Sequence, residues 1–204
     1  MMENQSALAQ NIIEIYKKHA RAWTELRGDF LYEKEWLDLF LSLIPVHSTL
    51  LDLGCGSGKP IADYLIQQGH TLIGVDSSDV MIAMAQKNFP KQTWVQADMR
   101  TVELDQKFNA ILAWDSFFHL TPDDQRQIFA QFAQFSVTNT ALMFTSGPMA
   151  GEAMGDMFGD ALYHASLSQD EYRVLLKQYG FNVVKMVAND VECTGHTVWL
   201  AQKQ

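Results

Sequence analysis

Cysteine is scarce in this chain of 204 residues: only Cys55 and Cys193 occur. Two thiols make neither a disulfide framework nor a metal-ligand spacing, so both read as small buried side chains. No apolar run approaches the ~20 residues that a membrane span requires. The start, Met1-Met2-Glu3-Asn4-Gln5, carries no basic region and no apolar stretch behind it, so a signal peptide is not expected. Basic residues are few, with 15 Lys and Arg against 24 Asp and Glu, a net charge of −9. That disfavours a surface built to neutralise a phosphate backbone, because such binding rests on Lys and Arg. Internal repeats and low-complexity linkers are also missing. The expectation is a cytoplasmic chain with no membrane and no nucleic-acid partner.

What is present is a substantial apolar fraction, 48%, enough to build a core in a single domain spanning 1–204. The most informative stretch is Leu50-Leu51-Asp52-Leu53-Gly54-Cys55-Gly56-Ser57-Gly58-Lys59-Pro60. A short apolar run ends at three glycines spaced two apart, and a helical pattern opens at Pro60. The glycines permit a sharp turn and a close approach of ligand to backbone, and the helix after them aims free N–H groups at that ligand. A second apolar run, Thr71-Leu72-Ile73-Gly74-Val75, ends at Asp76, where an acid suits the two hydroxyls of a ribose. A dinucleotide fingerprint would place its third glycine where Lys59 stands.

Helical periodicity covers 5–27, with Leu8, Ile12, Ile15 and Tyr16 at helical spacings. The stripe Tyr16, Ala20, Trp23 and Arg27 continues it until Gly28. A second helix is expected over Leu31–Ile44, closed by Pro45. Strands at about 49–54, 71–76, 93–97, 108–114 and 139–146 alternate with helices at about 60–69, 78–88 and 122–135, the signature of a parallel sheet covered on both faces. Gly147–Ala165 breaks the pattern as a long irregular segment carrying Glu152, Asp156 and Asp160 with no basic residue. Ser168 caps a helix over about 169–179. The last two strands, about 181–188 and 196–202, are joined too closely for a crossover helix and must pair as a hairpin.

The run Asp-Leu-Gly-Cys-Gly-Ser-Gly, with Val-Asp-Ser-Ser downstream, resembles the class I S-adenosylmethionine-dependent methyltransferases of the small-molecule type. The resemblance implies a Rossmann-like, doubly wound α/β fold. Its seven-stranded sheet would be mostly parallel with an antiparallel last strand, and residues 1–45 would form a helical N-terminal lid. It implies S-adenosyl-L-methionine as cofactor, with the methyl group passing by in-line displacement to a small-molecule acceptor. The expected cofactor-binding residues are Tyr16, Trp23 and Arg27 from the lid, Gly54, Cys55 and Gly56 from the first strand end, and Asp76, Ser77 and Met81 from the second. Asp98 and Met99 match the adenine-contacting positions at the third strand end, and Trp114 stands at the fourth. That fourth end, Trp114-Asp115-Ser116-Phe117-Phe118-His119, lacks the Asn/Asp-Pro-Pro-Tyr/Phe motif of enzymes that methylate DNA bases or Gln side chains.

Ligands of open α/β sheets bind beyond the carboxyl ends of the strands. By that topology His119, the insertion with Tyr163-His164, and Gly195-His196 all reach one edge. His119, His164 and His196 are therefore the candidate catalytic residues, and no metal ligand set is evident. The insertion's acids and Asp115 favour a cationic or amine acceptor, while Arg27, His164 and His196 favour a carboxylate. Two rivals stand beside this reading: a cofactor-binding module of the same fold without catalysis, and an NAD(P)-binding oxidoreductase.

Overall fold

The computed structural model of the chain describes residues 5–204, without the side chains of residues 5–8 and 10. Leu8, one of the expected stripe residues, thus has its side chain outside the described residues. Nine strands and six helices follow in order, beginning with α1 (Gln5–Arg27), α2 (Lys34–Ser42), β1 (Thr49–Leu53), α3 (Ile61–Gln67), β2 (Thr71–Asp76) and α4 (Asp79–Asn88). Then come β3 (Thr93–Gln96), β4 (Phe108–Ala113), α5 (Pro122–Gln134) and β5 (Ser136–Ser146). The chain ends with β6 (Gly151–Met157), β7 (Asp160–Ser166), α6 (Gln169–Gln178), β8 (Phe181–Asp190) and β9 (His196–Lys203).

Seven strands form one sheet in the order β3-β2-β1-β4-β5-β9-β8. The pairings from β3 through β5 are parallel, and β9 runs antiparallel to both β5 and β8. This is the Rossmann-like, mostly parallel arrangement with an antiparallel last strand that the sequence leads one to expect. The switch of direction between β1–β2–β3 and β4–β5 makes the crevice at their carboxyl ends the place where such a sheet takes a ligand.

The apolar alternation along each strand sorts residues onto two faces. Leu51, Leu53, Ile111 and Ala113 join the cluster under α5 and α6, where Phe117, Phe129, Phe132, Phe144, Tyr172 and Trp199 are all fully buried. Leu50, Ala110 and Leu112 join the opposite cluster, with Trp36, Leu37 and Phe40 of α2 and Ala62 and Leu65 of α3. Local chemistry sets the helix starts. Thr121 Oγ1 accepts the Asp124 N–H at 3.2 Å, and Ser168 Oγ accepts that of Glu171 at 3.1 Å.

Several boundaries depart from expectation. Residues 31–33 precede α2 as a turn, because the Glu33 side chain folds back onto Arg27 and cannot face outward on a helix. The cap of α4 is Ser78, whose Oγ accepts the Met81 N–H, and Ser77 stands before it. β5 begins at Ser136, with a register shift against β4 that the 139–146 estimate skipped. The largest departure is Gly147–Ala165, which is not irregular. β6 and β7 pair antiparallel from Gly151↔Ser166 to Met157↔Asp160, turning at Phe158-Gly159, both with positive φ. The strand alternation was masked because β6 is exposed along most of its length and has little apolar patterning to show. Among the described residues, no helix is long and apolar enough to cross a membrane.

Phe144 stacks on Trp199 at 5.9 Å, nearly coplanar at 4°, and meets Phe117 edge-on at 5.1 Å. Replacing Phe144 by Ala should cost ~3–5 kcal/mol of unfolding free energy, measured by urea denaturation, since no neighbour can collapse into the space of a ring held on both sides.

Candidate functional site

Beyond the carboxyl ends of β1 to β4 lies a cavity with about 1240 Å³ of free space, part of it open to solvent, roofed by Ile12, Tyr16, Trp23 and Arg27 of α1. Its floor is the glycine turn. Gly54 and Cys55 donate their N–H groups to the Val75 carbonyl at 2.7 and 3.1 Å, which locks the turn to β2. Gly54 has φ +83°, and a Cβ there would lie 2.2 Å from Ser116 Cβ. Ser116 is itself fixed by its hydroxyl, which donates to the Leu53 carbonyl at 2.6 Å. Gly56 has φ +54° and open space where a Cβ would point, so a ligand can reach its backbone directly.

Asp76 ends β2 with one oxygen accepting the Gly56 N–H at 2.9 Å and the other the Ser78 N–H at 2.8 Å. A carboxylate has about four acceptor positions, so two remain for hydroxyls of a ligand. Burial raises its pKa, against these two backbone donors. Asp52 lies buried beside it, pushed up to about 7, first by burial and then by the Asp76 charge. The Cys55 thiol is driven up by burial and by both acids, so it is not a nucleophile at neutral pH.

Asp98 and Met99 line the cavity, together with Ala97, past the end of β3. Asp98 accepts from the backbone and side chain of Arg100, which also reaches Asp124 at 3.1 Å. The clamp fixes the carboxylate's position, and the sequence reading did not foresee it. Met81 is 99% buried in α4, yet it also lines the cavity, so core packing and site lining coincide there.

In the roof, Tyr16 and Trp23 meet edge-on at 6.1 Å. Arg27 lines the cavity, but its guanidinium is committed to Glu33 and to the face of Tyr32, 4.3 Å away. Glu33 is fully buried and burial raises its pKa, with Arg27 opposing. Nothing in the irregular residues 28–33 signalled this partner.

The three candidate histidines do not converge. His119 lines the cavity, with Nδ1 2.8 Å from the Tyr163 carbonyl and Nε2 2.9 Å from the Tyr16 hydroxyl. The carbonyl can only accept, so Nδ1 carries the hydrogen and Nε2 accepts from Tyr16. Burial brings the His119 pKa down to about 4. His164 stacks on His119 at 4.9 Å but faces a separate cavity between the β6–β7 hairpin and the end of β5. His196 lines neither cavity; it sits behind Asp115, 3.1 Å from its carboxylate. The acidity expected of the insertion is also reduced, because Asp160 is taken by Lys18 and His19 of α1, each at 2.6 Å. Among the described residues, no group of three or more His, Cys, Asp or Glu is placed to hold a metal ion.

A family model described as "Methyltransferase domain" matches residues 50–137, the span that holds the glycine turn, Asp76 and Asp98. Over that span, less than half of its length, the chain is similar to the S-adenosylmethionine-dependent methyltransferases. An uncharacterised methyltransferase of Oceanobacillus iheyensis is 27% identical over 192 residues, covering 91% of this chain and 82% of its own. The dTDP-3-amino-3,4,6-trideoxy-alpha-D-glucopyranose N,N-dimethyltransferase of Streptomyces venezuelae is 37% identical over 76 residues. This chain spans about a third of that relative, 32% of its length, matching it over 37% of its own. A methyltransferase structure from Clostridium acetobutylicum superposes with TM-score 0.71 at 15% identity, covering 93% of this chain and 96% of its own. An amino pentose methyltransferase from Micromonospora echinaspora does so at 0.71 and 16%, covering 90% and 96%. At those identities the structures speak for the fold. The family match ends before the β6–β7 hairpin and begins after α1, so the roof of the cavity lies outside it.

Two measurements check the floor. Gly54→Ala should destabilise the fold by more than ~1 kcal/mol in thermal denaturation, because a positive φ and a clash with Ser116 act together. Asp52 keeps its proton in the folded chain up to about pH 7, whereas the unfolded chain loses it near pH 4. The folded state thus binds more protons between these values, and its stability falls as pH rises through them. Asp52→Asn should therefore raise Tm at pH 8 and lose that advantage at pH 4.

Proposed function

We propose that the chain binds S-adenosylmethionine on the glycine turn and transfers its methyl group to a small-molecule acceptor, releasing S-adenosylhomocysteine. The observation that carries this is the placement of the open Gly56 backbone, the half-satisfied Asp76 carboxylate and the Tyr16–His119 pair around one cavity. The Streptomyces and Micromonospora relatives, which methylate amino sugars, support a small acceptor. The net charge of −9 supports it too, against a nucleic acid.

Asp76 would hold the ribose hydroxyls, the N–H groups around Gly54 to Gly56 the methionine portion, and Asp98 with Met99 the adenine. When bound, the cofactor supplies a methyl carbon already activated by its sulfonium. The work left to the chain is alignment, exclusion of water and, for an acceptor that must lose a proton, a path for it. Alignment alone is worth ~7–11 kcal/mol of barrier. Trp23, Tyr16 and the apolar face of α1 keep water away from the sulfur side.

Tyr16 provides the path. Its hydroxyl hydrogen is committed to His119 Nε2, so its oxygen presents lone pairs to an N–H or O–H of the acceptor. A proton accepted there displaces the tyrosine's own onto Nε2, which burial keeps bare across neutral pH. In this reading Tyr16 and His119 act together, His164 backs His119 by stacking, and α1 with the hairpin encloses the acceptor.

Calorimetry should give binding of S-adenosylmethionine and S-adenosylhomocysteine and none of NAD; tighter binding of NAD would end the proposal. Tyr16→Phe should reduce single-turnover formation of S-adenosylhomocysteine on the order of 10²-fold, the scale of a lost general base, while its affinity for the product changes less than about threefold.

A further inference from the structure

Asp115 is the cavity-lining acid that the cofactor cradle leaves unused. It follows the end of β4 with φ +47°, a left-handed conformation that a short polar side chain tolerates. Its backbone N–H donates to Thr145 Oγ1 at 2.9 Å, and the threonine hydroxyl returns to its carboxylate at 3.3 Å. Behind it, His196 Nε2 lies 3.0 and 3.1 Å from the two carboxylate oxygens. The other ring nitrogen, Nδ1, lies 2.8 Å from the Cys193 carbonyl. The carboxylate only accepts, so Nε2 carries hydrogen and donates to Asp115; Nδ1 lies also 2.9 Å from the Thr194 hydroxyl, so it can donate to the carbonyl or accept from the threonine. The ring stacks on Tyr32, at 5.4 Å and 29°, and on Trp114, at 5.5 Å and 24°, aromatic surroundings that suit a cation.

The charge of the cavity points the same way. Each cation lining it already has an acidic partner: Arg27 with Glu33, Lys59 with Asp29, Arg100 with Asp98 and Asp124. Asp52 and Asp76 have no ion-pair partner among the described residues. An anionic acceptor would meet no free positive group there, whereas a basic nitrogen would meet Asp115. The field of Asp115 also reaches Tyr16, His119 and His164, the groups placed around the acceptor.

We propose that Asp115 determines acceptor specificity by binding the nitrogen of an amine, and that His196 is the positioning residue that aims its carboxylate. This rests on the methyltransferase reading and names the substrate class within it. The amine nitrogen binds with an N–H donated to the Asp115 carboxylate. Its lone pair is then free to form the N–C bond as the S–C bond breaks, the surplus proton leaving toward Tyr16. The groups facing His196 are Asp115 from β4, Glu33 with Arg27 behind Tyr32 from the segment before α2, and Asp190 and Cys193 from the turn before β9. Burial lowers its pKa, but Asp115 and then Glu33 outweigh it, and the net direction is upward. The imidazolium is therefore kept below the ordinary histidine value and lost as pH rises past the raised one. A neutral ring keeps its hydrogen on Nε2, facing the carboxylate, while Nδ1 accepts from the Thr194 hydroxyl, so the aim holds in both protonation states.

The test uses the full chain loaded with S-adenosylhomocysteine and a panel of small primary amines, each matched by the alcohol and the carboxylic acid of the same skeleton. Calorimetry should show a preference for the amine of at least about tenfold over its matches, the scale of one charge-assisted hydrogen bond. Asp115→Asn, which keeps the left-handed backbone, should abolish the preference while product affinity stays within about threefold. His196→Gln, whose amide can donate to the carboxylate, should keep most of the preference, whereas His196→Leu, which cannot donate, should lose it with product affinity unchanged. No preference for amines, or a preference that survives Asp115→Asn or His196→Leu, would overturn the proposal. Failure of the product itself to bind would instead remove the methyltransferase reading.

Discussion

Two hydrogen bonds from Asp76 hold the site together. By accepting the N–H of Gly56 and that of Ser78, one side chain fixes the glycine turn after β1 and the start of α4 against each other. The turn is also sewn to β2 through the Val75 carbonyl, so floor and second strand end cannot separate without losing three bonds. A carboxylate kept in this position, buried and with acceptor sites to spare, is poised for hydroxyls at no further cost of organisation. The Asp52 carboxyl beside it is pushed up to about 7, first by its burial and then by the Asp76 charge.

The parts of the fold that could be read from sequence are those written in local patterns. The β/α alternation, the glycines at 54, 56 and 58, the caps at Thr121 and Ser168 and the final hairpin each rest on periodicity or turn chemistry within a dozen residues, and the strand order agrees with them. The β6–β7 hairpin escaped because β6, exposed and rich in Gly, Met and acid, alternates nothing. Its acids looked free in sequence, yet Asp160 is spent on Lys18 and His19 from the far end of the chain.

The candidate site was legible in the same measure. The strand-end residues and the Tyr16–Trp23–Arg27 stripe all line one cavity, since strand ends and helix faces follow from topology. The histidines did not sort themselves, because their roles depend on partners set by tertiary contacts. Tyr163 O and Tyr16 decide the protonation of His119, and Asp115 keeps a hydrogen on Nε2 of His196. The clamp of Arg100 on Asp98, the buried Glu33 and the wall behind Gly54 at Ser116 are likewise invisible to spacing.

Ala9, Ile12 and Ile15 of α1 pack with Met157, Leu162, Tyr163 and Ala165 of the hairpin in a cluster distinct from the two that flank the sheet. The roof therefore has a small core of its own, assembled from segments about 150 residues apart in the chain. A core of seven side chains with one tyrosine among them can open locally at less free energy than the larger aromatic interior beneath the sheet. Local opening of this small core would uncover the cavity while the sheet that carries the glycine turn stays folded.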